Sequence, residues 1–429
     1  MDRRSRNFDA LASTPLRKDA LAIAEAGYEA IDVGAAFART VRLEGDELIV
    51  AGAAHPVSGR RVFFVGVGKC AIAGAEAAER VLGARLAGGI ALDVRGLADG
   101  RLKRIDAFVG THPKPTQENV DATHRILSLL EQLEERDLVI LLVSGGGSVL
   151  LCSPEEPFTC TDEGVLFDAL TDKGATIEEL NTVRKHLSKA RGGWLAKAAL
   201  PAEVIALIVS DVPGNDPEFI ASGPTVKDTT SVADAEAVLA KYGVPLPPGG
   251  FIETPKDEAD FARTTNVLFL SNKDALAAMA AEASARGYAA RVVTDTLRGE
   301  ARAVASQIVE ELHGAPPKTA LLYAGETTVT LGDHPGRGGR NQELALATLG
   351  NVRDGELVLP FSSDGRDATD HAGAIADSET RAHARARNAD AAAALTAHSS
   401  YDFFEATGDA LLTGLLESNV SDLIIAIKS

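Results

Sequence analysis

Several short segments of this 429-residue chain gather residue types that bind anions. Gly66-Val67-Gly68-Lys69-Cys70-Ala71 follows an apolar run and opens a helical one. Its glycines permit a tight turn whose backbone N–H groups can meet a phosphate or carboxylate, and Lys69 adds a fixed cation. The same GxGxxA spacing is a form of the dinucleotide fingerprint, with Asp93 at about the distance of a ribose-binding acid, while the Walker A spacing is absent. An ordinary tight turn with a solvated Lys69 is the plain alternative. Ser144-Gly145-Gly146-Gly147-Ser148 repeats the setting, with three glycines that allow close backbone approach and two hydroxyls that donate without adding charge.

Other segments supply side chains for the same chemistry. His112 and Lys114 sit in Thr111-His112-Pro113-Lys114-Pro115, which a surface proline turn explains nearly as well. Asn181, Arg184, Lys185, His186 and Lys189 crowd one helix; Arg184 can grip a carboxylate or phosphate with a planar fork, and a solvated face is the commoner fate of the others. Asp211, after a strand-like run, is placed to bind Mg²⁺ or accept a proton, or to make a structural Asx turn. Arg337-Gly338-Gly339-Arg340-Asn341-Gln342-Glu343 opens a helix, where a cation is repelled by the helix dipole unless an anion lies between. Glu326, Asp364, Asp367 and Asp370 add carboxylates that could hold a metal, although Asp-Gly surface turns look similar.

The intervening pattern says what must position these residues. Apolar runs at 62–67, 90–94, 107–110, 138–143 and 204–209 read as buried parallel strands. Ile126, Leu127, Leu130 and Leu133 fall at helical spacing, and Thr176 with Glu179 makes a capping box opening a helix toward Val183 and Leu187. This alternation predicts βαβ units, with the candidate loops at the carboxyl ends of strands, where open α/β sheets bind ligands. Prolines and glycines between 243 and 260 mark a domain boundary or a long loop. Beyond it a strand at 267–270, a helix capped by Asn272 with Leu276, Met279 and Ala283 on one face, and strands at 290–293 and 320–323 resume the alternation. A strand pair at 320–323 and 327–331, turning at Ala324-Gly325-Glu326, would make the second sheet mixed.

Charge narrows the function classes. Lys plus Arg total 43 against 61 Asp plus Glu, a net −18, so binding to nucleic acid or to an anionic bilayer is not expected and an anion site must be a local exception. No apolar stretch follows Met1-Asp2-Arg3-Arg4-Ser5-Arg6, and the longest apolar runs are strand-sized, which predicts neither a secretory signal nor a membrane span. Cys70, Cys152 and Cys160 form no CxxC pair, so a reduced cytoplasmic protein without a structural metal is expected.

Taken in order, Gly68-Lys69, the 144–148 loop, Asn181-Thr182-Val183-Arg184-Lys185-His186-Leu187-Ser188, Ser210-Asp211-Val212-Pro213-Gly214, Ala221-Ser222-Gly223-Pro224-Thr225, Gly325-Glu326-Thr327-Thr328 and Gly338-Gly339-Arg340-Asn341-Gln342-Glu343 resemble the class II glycerate kinase family, also called the MOFRL family. The resemblance runs over nearly the whole chain. It implies an α/β fold with a Rossmann-like parallel-sheet N-terminal domain, placed at residues 1–245, a second α/β domain with a mixed sheet at 262–429, and a cleft between them. It also implies ATP-dependent phosphorylation of D-glycerate, usually to 2-phosphoglycerate. ATP with Mg²⁺ and D-glycerate are then the expected partners, and a homodimer is allowed. The functional Lys and Arg of the family fall on Lys69 and Arg340, with Asp211 as a third catalytic candidate. Gly68, His112, Ser144, Gly145, Gly146, Gly147, Ser148, Arg184, Asn341 and Glu326 are the expected substrate or phosphate contacts, and Asp211 and Asp364 the metal candidates. Members have also been labelled hydroxypyruvate reductases, so NAD(P)H-dependent reduction is the competing reading. Residues 413–419 and a shortened 364–370 depart from the family pattern, and Cys70 stands where Ala is usual.

Overall fold

The computed structural model describes residues 3–94, 96, 101–212, 214–332 and 334–429. Met1-Asp2 and Pro213, both quoted above, lie outside the described residues. A six-stranded sheet comprises β1 (Val62–Val67), β2 (Leu86–Asp93), β3 (Ile105–Val109), β4 (Leu138–Val143), β5 (Glu203–Val209) and β6 (Thr264–Leu270). Their order is β3-β2-β1-β4-β5-β6, and β1 to β5 pair in parallel. Strands β1, β4 and β5 are buried along nearly their whole length, which is why they are apolar without alternation. Chain order reverses beside β1, with β2 and β3 to one side and β4 and β5 to the other. Val67 pairs with Val143 at the carboxyl ends, so the loops after β1 and β4 leave the sheet side by side at this switch point.

Local signals set most elements here. Thr176 caps the helix Ile177–Lys185 as predicted, its hydroxyl accepting the Glu179 N–H at 3.3 Å while the Glu179 carboxylate accepts the Thr176 N–H at 2.9 Å. Leu187 lies past the end of that helix, as Leu133 lies past Gln117–Leu130. Strand β2 starts four residues before the predicted 90 and stops at Asp93, and β6 starts at Thr264 rather than 267. A small antiparallel sheet of Val41–Glu44, Glu47–Val50 and Ala53–Pro56 was not foreseen.

A second sheet contains β7 (Ala289–Glu300), β8 (Thr319–Thr328), β9 (Glu356–Ser362), β10 (Gly373–Ala374), β11 (Ala376–Asp377), β12 (Ala410–Leu411) and β13 (Asp422–Lys428). It is mixed: β7 and β8 are parallel, and β13 runs antiparallel to both β8 and β9. The expected hairpin at 320–331 is absent, because residues 319–328 form one strand. Gly325 has φ +144°, and a Cβ there would lie 2.2 Å from the Leu297 carbonyl oxygen, so this glycine admits the neighbouring strand instead of turning the chain. The helix Asn272–Ala285 is capped by Ser271, which pairs with Asp274; the Asn272 amide instead donates to the Asp295 carbonyl at 2.8 Å. Val304, Ile308 and Leu312 of the helix Ala301–Gly314 bury against Leu321, Val358 and Ile424 of the sheet, each burial contributing about 1.5–3 kcal/mol.

The chain divides into two compact units. One contains Met1–Asp32, Val212–Gly214 and Leu270–Ser429, the other Val33–Asp211 and Asn215–Phe269. This differs from the 1–245 and 262–429 division read from the proline-rich stretch. That stretch is a connection inside the unit of the first sheet, leading from the helix Val232–Tyr242 to β6, which completes the sheet. The N-terminal residues belong with the second sheet for two reasons. In the helix Pro15–Ala30, a Cβ on Gly27 would lie 3.0 Å from the Met279 side chain, so this helix packs closely on Asn272–Ala285 at a glycine. Arg17 is buried and gripped by Asp377 at 2.7 Å and Asp409 at 2.8 Å. Among the described residues no helix is long and apolar enough to cross a membrane.

Candidate active site

The first unit assembles its candidate residues at the carboxyl end of the parallel sheet. Gly68 has φ +117°, and a Cβ on it would lie 2.1 Å from Ser144 Oγ and 2.5 Å from the Ser144 carbonyl oxygen, so the loops after β1 and β4 meet backbone to backbone. The Lys69 N–H donates to the Gly145 carbonyl at 3.0 Å. The Ser144 hydroxyl is buried between the two loops, donating to the Val67 carbonyl at 3.3 Å and accepting the Cys70 N–H at 3.4 Å, so it ties them together. Gly145 and Gly146 then form a floor without side chains. A Cβ on Gly146 would sit 3.4 Å from Lys69 Cγ and 3.7 Å from His112 Cδ2, and one on Gly145 would fall 2.1 Å from Asp211 Oδ2. Gly147 is held close by Ala221, and Ser148 Oγ lies 2.9 Å from Ser222 Oγ.

Electrostatics in this group follow from burial beside cations. Burial pushes the Asp211 carboxyl up, and Lys69 partly offsets that. Burial pushes the His112 imidazole down, with Lys69 and Arg184 adding to the effect, so His112 is neutral at physiological pH and brings a hydrogen-bonding group without charge. Arg184 lies with its guanidinium 4.2 Å from the Phe167 ring centroid. The remaining basic residues expected nearby are engaged elsewhere. Lys114 pairs with Asp168 on the surface, Lys185 is buried between Glu218 and Asp228, His186 is buried with Nδ1 2.9 Å from the Ile252 carbonyl, and Lys189 pairs with Glu155. Lys185 and His186 are thus structural, correcting the expectation of a solvated face. Asp93 is fully buried and accepts the Ile72 N–H at 3.1 Å, in the first turn of the helix Ala71–Leu82. A carboxylate spent on a helix N-terminus inside the core is unavailable to a ribose.

In the other unit Arg340 opens the helix Arg340–Thr348, and the expectation that its charge needs an outside anion is corrected. The Asp367 carboxylate accepts the first-turn N–H groups of Asn341 at 3.0 Å and Gln342 at 2.8 Å. Glu326 meets the Arg340 guanidinium with both oxygens at 2.9 Å, and Asp422 meets it from another side. These carboxylates hold Arg340 firmly cationic and fix its direction. The Asn341 side chain is buried, with Nδ2 3.3 Å from Asp367. Burial and the nearby Asp422 push the Asp367 carboxyl up to about 6, against the pull of the helix N–H groups. Beside this cluster lies a cavity of about 500 Å³ lined by Gly336, Gly338, Gly339, Arg340, Arg366, Asp367, His398 and Ser400, within the range of small-molecule sites.

Local spacing in the sequence did not reveal Asp422, Arg366, His398 or Ser400, and Asp367 stood there as a metal candidate, not as a helix cap. Asp422 reaches Arg340 across 82 positions, a separation that the pairing of β13 with β8 and β9 closes. Asp364 Oδ1 accepts from the Ser362 hydroxyl at 2.8 Å and the Arg366 N–H at 3.0 Å. Asp211 and Asp364 belong to different units, and among the described residues no group of three or more His, Cys, Asp or Glu is arranged to hold a metal ion. The two stretches that depart from the family pattern touch each other. A Cβ on Gly365 would lie 2.1 Å from the Gly414 carbonyl oxygen, and the Leu416 N–H donates to the Asp364 carbonyl at 2.8 Å.

Comparison with known proteins bears on the family and the fold. Residues 19–249 match the family described as Domain of unknown function (DUF4147), and residues 319–422 match the MOFRL family. A glycerate 2-kinase of Pyrococcus horikoshii is 36% identical over 96% of this chain and 97% of its own. A putative hydroxypyruvate reductase of Agrobacterium vitis is 39% identical over 83% of this chain and 86% of its own. The crystal structure of glycerate kinase from Thermotoga maritima matches with a TM-score of 0.84 at 33% identity, covering 96% of this chain and 99% of that one. By sequence along most of its length and by fold, the chain belongs to the glycerate kinase family that pairs the DUF4147 and MOFRL regions.

Proposed function

We propose that this chain transfers the γ-phosphoryl group of ATP to a hydroxyl of D-glycerate, giving 2-phosphoglycerate and ADP. The observation that carries this reading is the pair of glycine loops at the β1/β4 switch point, with Lys69, His112 and Asp211 standing around a floor that has no side chains. The glycerate hydroxyl oxygen attacks the γ-phosphorus, the bond to the ADP oxygen breaks, and the hydroxyl proton passes to Asp211, whose raised pKa suits it to hold one. Lys69 offsets charge on the transferring group, and the backbone of Gly145 and Gly146 lets an anion approach closely. In the other unit the cavity beside Arg340 and Arg366 suits anionic groups, with Arg340 kept in place by Glu326 and Asp422. With Asp211 taking the proton, Mg²⁺ would come to the site bound to the nucleotide. When bound, that ion neutralises charge on the phosphates.

The name of the Agrobacterium relative favours a second reading, reduction of hydroxypyruvate by NAD(P)H. The buried position of Asp93 under the Ile72 N–H argues against it, because the acid that the dinucleotide fingerprint requires is already used. One experiment separates the two. Purified protein is given D-glycerate with Mg-ATP while ADP is followed and the product is assigned by phosphorus NMR, and hydroxypyruvate with NADH or NADPH is run in parallel. Glycerate-dependent ADP release with a phosphate on the 2-oxygen is expected; nucleotide oxidation without ADP release would overturn the proposal.

A further inference from the structure

Of the four cations Lys69, Arg184, Lys185 and Arg191, three have a carboxylate neighbour and one does not. Lys185 has Glu218 and Asp228. Lys69 has Asp211 as a charged neighbour. Arg191, fully buried, takes Glu163 at 2.8 Å, and the Cys152 thiol occupies the other oxygen of that carboxylate at 3.4 Å. Arg184 receives none of these. Among the described residues its guanidinium donates no hydrogen bond and no carboxylate stands within ion-pair distance, and its Nε is buried without a partner. Its nearest charged influences are Arg191, which repels it, and the already paired Glu163. Arg17 and Arg340, each held by carboxylates, are pushed up in pKa, whereas burial and Arg191 push Arg184 down to about 10.

A half-buried guanidinium without an anion is costly, and its direction is not accidental here. The Phe167 ring lies 4.2 Å beneath it and fixes its plane. Its charge is felt at His112, the residue that stands with Lys69 over Gly146. A planar fork suits a carboxylate, which accepts two parallel N–H bonds, while the compact Lys69 ammonium suits a tetrahedral phosphoryl group. We infer that Arg184 is the seat of the acceptor's carboxylate and makes this enzyme selective for a hydroxy acid over a neutral polyol. This inference rests on the proposed kinase reading and divides the labour within that site: Arg184 for the acid, Lys69 for the transferring group, and neutral His112 between them.

The test compares wild type with Arg184→Gln and Arg184→Lys. Each is assayed for kcat and for the KM of D-glycerate and of ATP, for turnover of the neutral analogue D-glyceramide, for D-glycerate binding by calorimetry, and for thermal stability. Arg184→Gln should raise the glycerate KM at least about 30-fold, as expected when one partner of a charge-assisted pair is removed. The ATP KM should stay within about twofold, the preference for glycerate over glyceramide should collapse, and Arg184→Lys should recover part of the loss. Melting temperature should hold or rise, because an uncompensated charge has been taken from the unliganded protein. An unchanged glycerate KM, a raised ATP KM in its place, or a fall in melting temperature with both KM values intact would each overturn the assignment. Absence of glycerate-dependent ADP release in the wild type would instead overturn the kinase reading itself.

Discussion

Asp367 gives the sharpest prediction about the Arg340 cluster. Its carboxyl titrates at about 6 in the folded chain against 3.8 ordinarily, because it is buried beside Asp422, although two helix N–H groups favour the ionised form. Between pH 4 and 6 the native protein therefore keeps a proton that the unfolded chain has released. The contribution of this group to stability is fully present below about pH 4 and is lost as pH rises through about 6. The difference corresponds to on the order of 3 kcal/mol. Asp367→Asn keeps the size and one acceptor for the helix terminus but cannot ionise. Urea unfolding of both proteins from pH 4 to 7.5 should show their stability difference moving toward the variant by about that amount, or roughly 1 M in midpoint. A difference that is constant, or that moves toward wild type as pH rises, would show that the helix N–H groups outweigh burial and Asp422.

Other consequences are simpler to check. Gly68→Ala forces a side chain into positive φ and onto Ser144, so it should cost about 2–6 kcal/mol, measured by urea unfolding, and separate the two loops. Gly145→Ala meets the Asp211 side chain first, so kinetics should show a loss of at least about tenfold in kcat, as for a misplaced reacting group, with a melting temperature within a few degrees of wild type. Lys185→Met strands Glu218 and Asp228 without their buried cation and should destabilise the protein by about 3–5 kcal/mol in the same urea assay.

The first sheet was legible because its strands are buried on both faces and its ligand loops are glycine-rich, two signals that depend on a few adjacent residues. The placing of those loops at carboxyl ends of strands followed from them; the strand order, and with it the switch point, did not. The hairpin at 320–331 was misread because a glycine that admits a neighbouring strand looks the same in sequence as one that turns the chain. The unit boundaries were not legible, since the grip of Asp377 and Asp409 on Arg17 spans most of the chain. For the same reason the spacing around Arg340 announced an anion, while the carboxylates that supply it come from Glu326, Asp367 and Asp422, each set in place by tertiary structure.

The central proposal is that turnover of D-glycerate needs both Lys69 and Arg340. Turnover of D-glycerate with saturating Mg-ATP, measured for wild type, Lys69→Ala and Arg340→Ala of matched stability, tests it most directly. Each variant should lose at least about 100-fold in kcat, as for removal of one preorganised electrostatic contact. Full turnover in either variant would contradict the account.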